Sequence, residues 1–171
     1  MPAVNSARMQ ADLEELAEFR DPTQEGWTRT VFSAEFVRSR EWVATKMRDA
    51  GLQVTRDAAG NLMGSLSGEE SRAALATGSH TDTVPGGGRF DGPAGVLAAI
   101  EVARSIRESG RTLRHDLRVV DFLGEEPNEF GLSCIGSRAI AGTLTAEHLA
   151  ARDPSGRTLA EAIDSAGGDS R

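Results

Sequence analysis

Cysteine is nearly absent from this chain: Cys134 is the single one in 171 residues. No internal disulfide can form, which fits a reducing compartment. With no histidine near it in the run Leu132 to Gly136, Cys134 reads as a packing residue rather than a nucleophile. Long apolar runs are missing as well. Nothing approaches the roughly 20 residues that span a bilayer, and Met1 to Gln10 lacks the basic start and apolar core of a secretory leader. The expectation is therefore a soluble cytoplasmic protein with no membrane contact. Basic segments are also lacking. The net charge is −7, and the positive charge, almost wholly arginine, is scattered among acids, which argues against nucleic acid as a partner. What is present, 39% apolar and 26% charged residues, suffices for one globular domain with its own core.

Apolar residues Met9, Leu13, Leu16 and Phe19 recur at helical spacing behind Asn5 and Ser6, both good cap types, and predict a first helix over 7–19. Ser33 can cap a second helix carrying Phe36, Val37, Trp42, Val43 and Met47, which Gly51 ends. The segments 52–55 and 62–66 flank a glycine turn and predict a hairpin. Two further β segments, 73–78 and 117–123, enclose an apolar helical pattern over 94–106 that closes at Gly110. Beyond Glu126 a loop leads to a short helix near 133–141, with Thr145 and Thr158 as further caps. The pattern Thr158 to Glu161 has the form of a capping box, and the final 167–171 reads as a helix exit.

The strand, helix, strand unit decides where chemistry can occur. Such crossovers return parallel, so both strands end at the same edge of the sheet, where ligands of open α/β sheets bind. The first strand runs into His80 and Asp82, the second into Glu125 and Glu126, and Asp91 stands at the start of the connecting helix. One imidazole and several carboxylates thus converge on one rim. Uncompensated, so many anions would repel one another and raise their own pKa values, a conflict that one or two divalent cations would resolve. Imidazole with carboxylate oxygens suits zinc, and also manganese, cobalt or nickel, better than calcium or magnesium. If His80 ends a strand, Asp82 points the same way and can hold the ring nitrogen that does not face the metal. Asp91, in the tight turn Gly86 to Gly92, could bridge two cations. Of the paired glutamates, one can coordinate while its neighbour takes a proton from water.

The run from Thr77 to Val96, containing His80, Asp82, Asp91 and Gly92, resembles the metal-binding core of the M20 metallopeptidase-like family, in its hydantoinase/carbamoylase branch. Gly26 to Arg29, Phe32 to Glu35, Ala59 to Leu62, Gly124 to Glu126 and Gly136 to Gly142 add matches in the family's order, so the likeness covers essentially the whole chain. The resemblance implies an α/β fold, a zinc-exopeptidase-like mixed sheet flanked by helices. It implies metal ligands His80, Asp91 and Glu126, with Asp91 shared by two ions, Glu125 as general base and Asp82 as the partner of His80. The implied reaction is hydrolysis of a linear amide or ureido C–N bond in an N-carbamoyl-L-amino acid, allantoate or ureidopropionate type of substrate by two-metal-activated water.

Residues 1–171 are then expected to be the N-terminal part of a catalytic domain, without the lid and dimerisation domain and the later histidines that the family carries. His115 and His148 match neither missing ligand. Full-length relatives are homodimeric by the same resemblance, and a shortened chain with an unpaired sheet edge is expected to self-associate. Pro93 and the segment Pro127 to Phe130 depart from the family pattern beside ligands and bear on substrate preference. The glycine-rich stretch 86–95 lacks the Gly-Lys-Ser/Thr ending of a phosphate loop and offers Asp91 where an anion would be repelled. Two other readings stay open: an M20 aminopeptidase or aminoacylase sharing the same ligands, and a truncated, non-catalytic remnant.

Overall fold

The computed structural model describes residues 3–171, so that Met1 and Pro2 of the stretch read for a leader lie outside it. Helix α1 spans Ser6–Ala17, with the Asn5 side chain accepting from the Arg8 amide. Helix α2 spans Ala34–Asp49, with Ser33 accepting from Phe36. Both caps satisfy an otherwise orphaned N–H. The chain then builds β1 (Gln53–Arg56), β2 (Leu62–Leu66) and β3 (Glu70–His80), crosses through α3 (Pro93–Glu108) and returns as β4 (His115–Phe122). Three short helices follow, α4 (Ile135–Ile140), α5 (Ala146–Ala150) and α6 (Leu159–Ser165). Thr145 and Thr158 cap the last two, and the Thr158–Glu161 capping box forms as its spacing predicts.

The sheet is mixed and four-stranded, in the order β1-β2-β4-β3. The hairpin β1–β2 and the pair β2–β4 are antiparallel, whereas β3 and β4 run parallel. The parallel register puts Glu70 opposite His115 and His80 opposite Phe122. His80 therefore stands at the C-terminal rim and His115 at the far end, which is why His115 cannot join the site. Strand β3 is an edge, and Ala73 to Thr77 are exposed along it, Leu75 at 58%, in keeping with the expected unpaired edge.

Leu16, Val43, Met47, Leu97, Ile100 and Val119 fuse α1, α2, α3 and the sheet into the main core, each such side chain contributing roughly 1.5–3 kcal/mol by leaving water. A second cluster of Phe36, Leu123, Phe130, Ile135, Leu159 and Ile163 packs the C-terminal helices under the end of β4. The helix exit after α6 does not lead away from the body, because the Asp169 amide donates to the Ala58 carbonyl at 2.8 Å and Arg56 donates to the Ala166 carbonyl at 2.8 Å. Among the described residues no helix is long and apolar enough to cross a membrane.

Candidate metal centre

The two parallel strands deliver the site. His80 is the last residue of β3 and is 6% exposed, while Glu125 and Glu126 follow the end of β4 across a glycine, Gly124, at φ 55°. One donor atom from each of His80, Glu125 and Glu126 lies within 4.8 Å of the others. The imidazole Nε2 is 3.5 Å from Glu125 Oε2. On its other side Nδ1 is 3.0 Å from the backbone carbonyl of Asp82 and 3.6 Å from its Oδ1. In its neutral form, with the proton on Nδ1, the ring donates to that carbonyl and turns the Nε2 lone pair toward the glutamates. Burial pulls the imidazole's pKa down, but the hydrogen bonds and charge of Asp82 and the charge of Glu125 outweigh it and hold His80 at about 9. A metal on Nε2 would have to displace the proton which that nitrogen carries below this value.

Asp82 does more than the sequence suggests. It is fully buried, and its two carboxylate oxygens accept from the backbone amides of Glu125 at 3.2 Å and Glu126 at 3.1 Å. One carboxylate thus fixes the loop that carries both glutamates, and it is the Asp82 carbonyl that takes the shorter contact to the His80 ring. Glu126 is raised above the usual carboxylate range by burial and by the charges of Asp91, Glu125 and Asp82, against the lowering effect of His80. Asp91 is exposed at the entry to α3 and stands outside the tight trio, close enough to act on Glu126 through its charge. Gly92 between Asp91 and α3 has φ 82°, and a Cβ there would lie 2.5 Å from the His80 carbonyl and 2.6 Å from its ring Cε1. Only glycine lets the Asp91 turn approach the imidazole so closely.

Two residues gain definite places. Arg29 is 1% exposed and donates to the carbonyls of Thr81 (2.7 Å), Phe19 (2.7 Å) and Leu16 (3.1 Å), which makes it a structural brace rather than a substrate contact. Burial lowers its pKa to about 10, with Asp121 and Asp82 pulling the other way. Arg138 is likewise local, donating to the Ser133 carbonyl at 2.9 Å. Cys134, expected only to pack, is half-buried in the left-handed region at φ 57°, with Sγ 3.7 Å from Glu125 Oε1. Nothing in its sequence context signals that proximity.

Comparison with known proteins bears on this arrangement directly. Residues 61–160, which hold every residue of the rim, match the model of peptidase family M28. The chain belongs to peptidase family M28. Its relatives agree with the carbamoylase branch inferred from the motifs. An N-carbamoyl-L-amino acid amidohydrolase of Geobacillus stearothermophilus is 46% identical over 97% of the chain and 41% of that protein. A ureidoglycolate hydrolase of Oryza sativa subsp. japonica is 40% identical over 94% of the chain and 32% of that protein. The crystal structure of a hydantoinase/carbamoylase family amidase from Burkholderia ambifaria superposes with a TM-score of 0.90 at 36% identity, covering 97% of the chain and 42% of the other. The chain therefore spans less than half the length of each of these three proteins, and this member of family M28 shares their mixed sheet flanked by helices.

Proposed function

We propose that this chain contributes the N-terminal part of a catalytic domain that hydrolyses linear amide or ureido C–N bonds in small substrates of the N-carbamoyl-L-amino acid, allantoate or ureidopropionate kind. The observation that carries the reading is the convergence of His80, Glu125 and Glu126 within 4.8 Å at the C-terminal ends of two parallel strands. Nitrogen and carboxylate donors in that spacing fit a divalent ion of the zinc type, and the raised Glu126 marks negative charge waiting for a cation. His80, Asp91 and Glu126 would hold two such ions, which when bound polarise the scissile carbonyl and activate water. Glu125, half-exposed beside them, takes the proton of the attacking water and returns it to the leaving nitrogen. Asp82 keeps Glu125 and His80 in register. The names of the relatives support the C–N bond as target. The match to a peptidase family favours, as a second reading, a peptide or N-acyl amino acid substrate on the same residues.

Zinc content after equilibrium dialysis tests the reading. Retention of about one or two ions per chain, lost in a His80→Ala, Asp91→Ala double variant, is expected. Zinc retained equally by the double variant, or not at all by the parent chain, would leave the cluster as a solvated acidic surface. Ammonia release from N-carbamoyl-L-amino acids against amine release from dipeptides separates the two substrate readings.

A further inference from the structure

Beside the His80, Glu125 and Glu126 cluster lies a cavity of about 300 Å³ that the chemistry above does not use. It adjoins the site through residues that flank the cluster: Asp82 forms one wall, and Pro127 and Asn128, which follow Glu126 directly, form another. Val31, Pro85 and Phe130 supply further apolar surface. The polar groups near the cluster are already spent. Both Asp82 oxygens serve the glutamate amides. Asn128 donates from Nδ2 to the Glu126 carbonyl and accepts the Phe130 amide on Oδ1. Thr83 Oγ1 accepts from the Arg29 amide and donates to the Val84 carbonyl. Of the charged residues beyond them, Glu129 is exposed and Arg157 donates to Asp153 at 3.2 Å.

The wall is also built at a cost. Phe32 holds φ 65°, a conformation that bulky residues rarely adopt. In it, the Phe32 ring meets Phe130 edge-on at 5.8 Å and lies beneath the Arg157 guanidinium at 5.8 Å. Backbone strain, an aromatic pair and a stacked cation together fix the shape of one small chamber. Its volume is at the bottom of the range for pockets that take whole ligands, and suits a single side chain.

We propose that this chamber receives the apolar side chain of an N-carbamoyl or N-acyl α-amino acid whose scissile amide lies on the His80, Glu125 and Glu126 cluster. This rests on reading that cluster as the site of C–N hydrolysis, and it singles out apolar amino-acid derivatives over wholly polar ureido compounds. The segment Pro127 to Phe130, which lines the chamber, thereby becomes a determinant of specificity.

The test titrates the zinc-loaded chain with N-carbamoyl-L-leucine and with N-carbamoylglycine, following its amide and methyl NMR signals. The leucine derivative is expected to bind at least about tenfold more tightly, as side-chain burial in a fitted pocket gives, and to shift Val31 and Phe130. Thr30 lines the chamber, and its side chain makes no hydrogen bond among the described residues. Thr30→Phe should fill the space and bring the ratio of affinities toward one, with far-UV dichroism checking the fold. Equal affinities in the parent chain, absence of shifts at Val31 and Phe130, or a preference that survives in folded Thr30→Phe would overturn the proposal. Failure of the parent chain to bind zinc would instead strike the hydrolase reading, while the shifts at Val31 and Phe130 would still decide for or against the chamber.

Discussion

Gly136→Ala should be among the most destabilising single-methyl additions in this chain. Asn61 is fully buried and joins three segments: its Nδ2 donates to Asp57 Oδ2 at 2.7 Å and to the Gly136 carbonyl at 3.1 Å, and its Oδ1 accepts the Leu123 amide at 2.9 Å. A Cβ on Gly136 would lie 1.8 Å from that Oδ1 and 2.7 Å from the Leu123 nitrogen. Either Asn61 leaves or α4 shifts. Overpacking costs about 1–3 kcal/mol, and a buried Leu123 N–H stripped of its acceptor about 1–3 kcal/mol more, so a loss of about 4 kcal/mol is expected. That is a large share of the 5–15 kcal/mol typical of a domain. Urea unfolding followed at 222 nm reads it as a lower midpoint at unchanged slope. The same reasoning demands coupling. In an Asn61→Ala background the severest clash is gone and only the Leu123 nitrogen still crowds the methyl, so the added cost of Gly136→Ala should fall by at least about 1 kcal/mol. A single-variant loss below about 1 kcal/mol, or strict additivity, would refute the idea that Asn61 and Gly136 exclude a side chain between them.

Two further outcomes follow from the centre itself. Asp82→Asn keeps the shape but replaces one acceptor with an NH₂ donor facing a glutamate amide, so zinc affinity measured against a competing chelator should fall about 10- to 100-fold, the usual effect of removing a group that orients ligands; unchanged affinity would remove Asp82 from the machinery. In the metal-free chain His80 is raised to about 9 from an ordinary 6.5. Its contribution is therefore complete below about 6.5 and lost as pH rises through about 9, on the order of 3 kcal/mol by linkage. Urea midpoints from pH 6 to 9.5 should drop in the parent chain and stay level across that window in His80→Ala, and parallel profiles would show that the charge of His80 is not held by Asp82 and Glu125.

Much of the rim was legible because it depends on local rules. A strand that ends at His80, a crossover helix and a strand that ends before Glu125 must place those residues at one edge, and the observed register from Glu70–His115 to His80–Phe122 does so. The caps at Asn5, Ser33, Thr145 and Thr158 follow from side chains that satisfy the first amides of a helix. What escaped is what depends on long-range packing. Period-two alternation gives the direction of Asp82 but not that its oxygens meet amides 43 and 44 residues later. Phe32 and Cys134 occupy positive φ without glycine or asparagine to announce it. The brace role of Arg29 required knowing that α1 ends against the loop after β3, which no pattern within Gly26 to Arg29 encodes.

The floor beneath the centre shows why so much charge is buried where oil would serve stability as well. Thr81 lies between His80 and Asp82, and its carbonyl and its hydroxyl are both held. Arg29 donates to its carbonyl at 2.7 Å, and its hydroxyl donates to Asp121 at 3.1 Å. Asp121 is itself completely buried, raised by that burial and steadied by Arg40 Nε at 2.9 Å, while Arg40 also donates to the Gly60 carbonyl at 2.7 Å. Removing two charges from water costs about as much as their attraction returns, so such a pair adds little net stability over well-packed apolar side chains. Apolar packing, however, has no directional hold on a hydroxyl or a carbonyl. The proposed metal centre would need one imidazole and two glutamates within a few ångströms of fixed positions, two of them on a loop that follows β4. Directional bonds from buried arginines restrain the one residue between His80 and Asp82 from both sides, and Asp82 passes that restraint to Glu125 and Glu126.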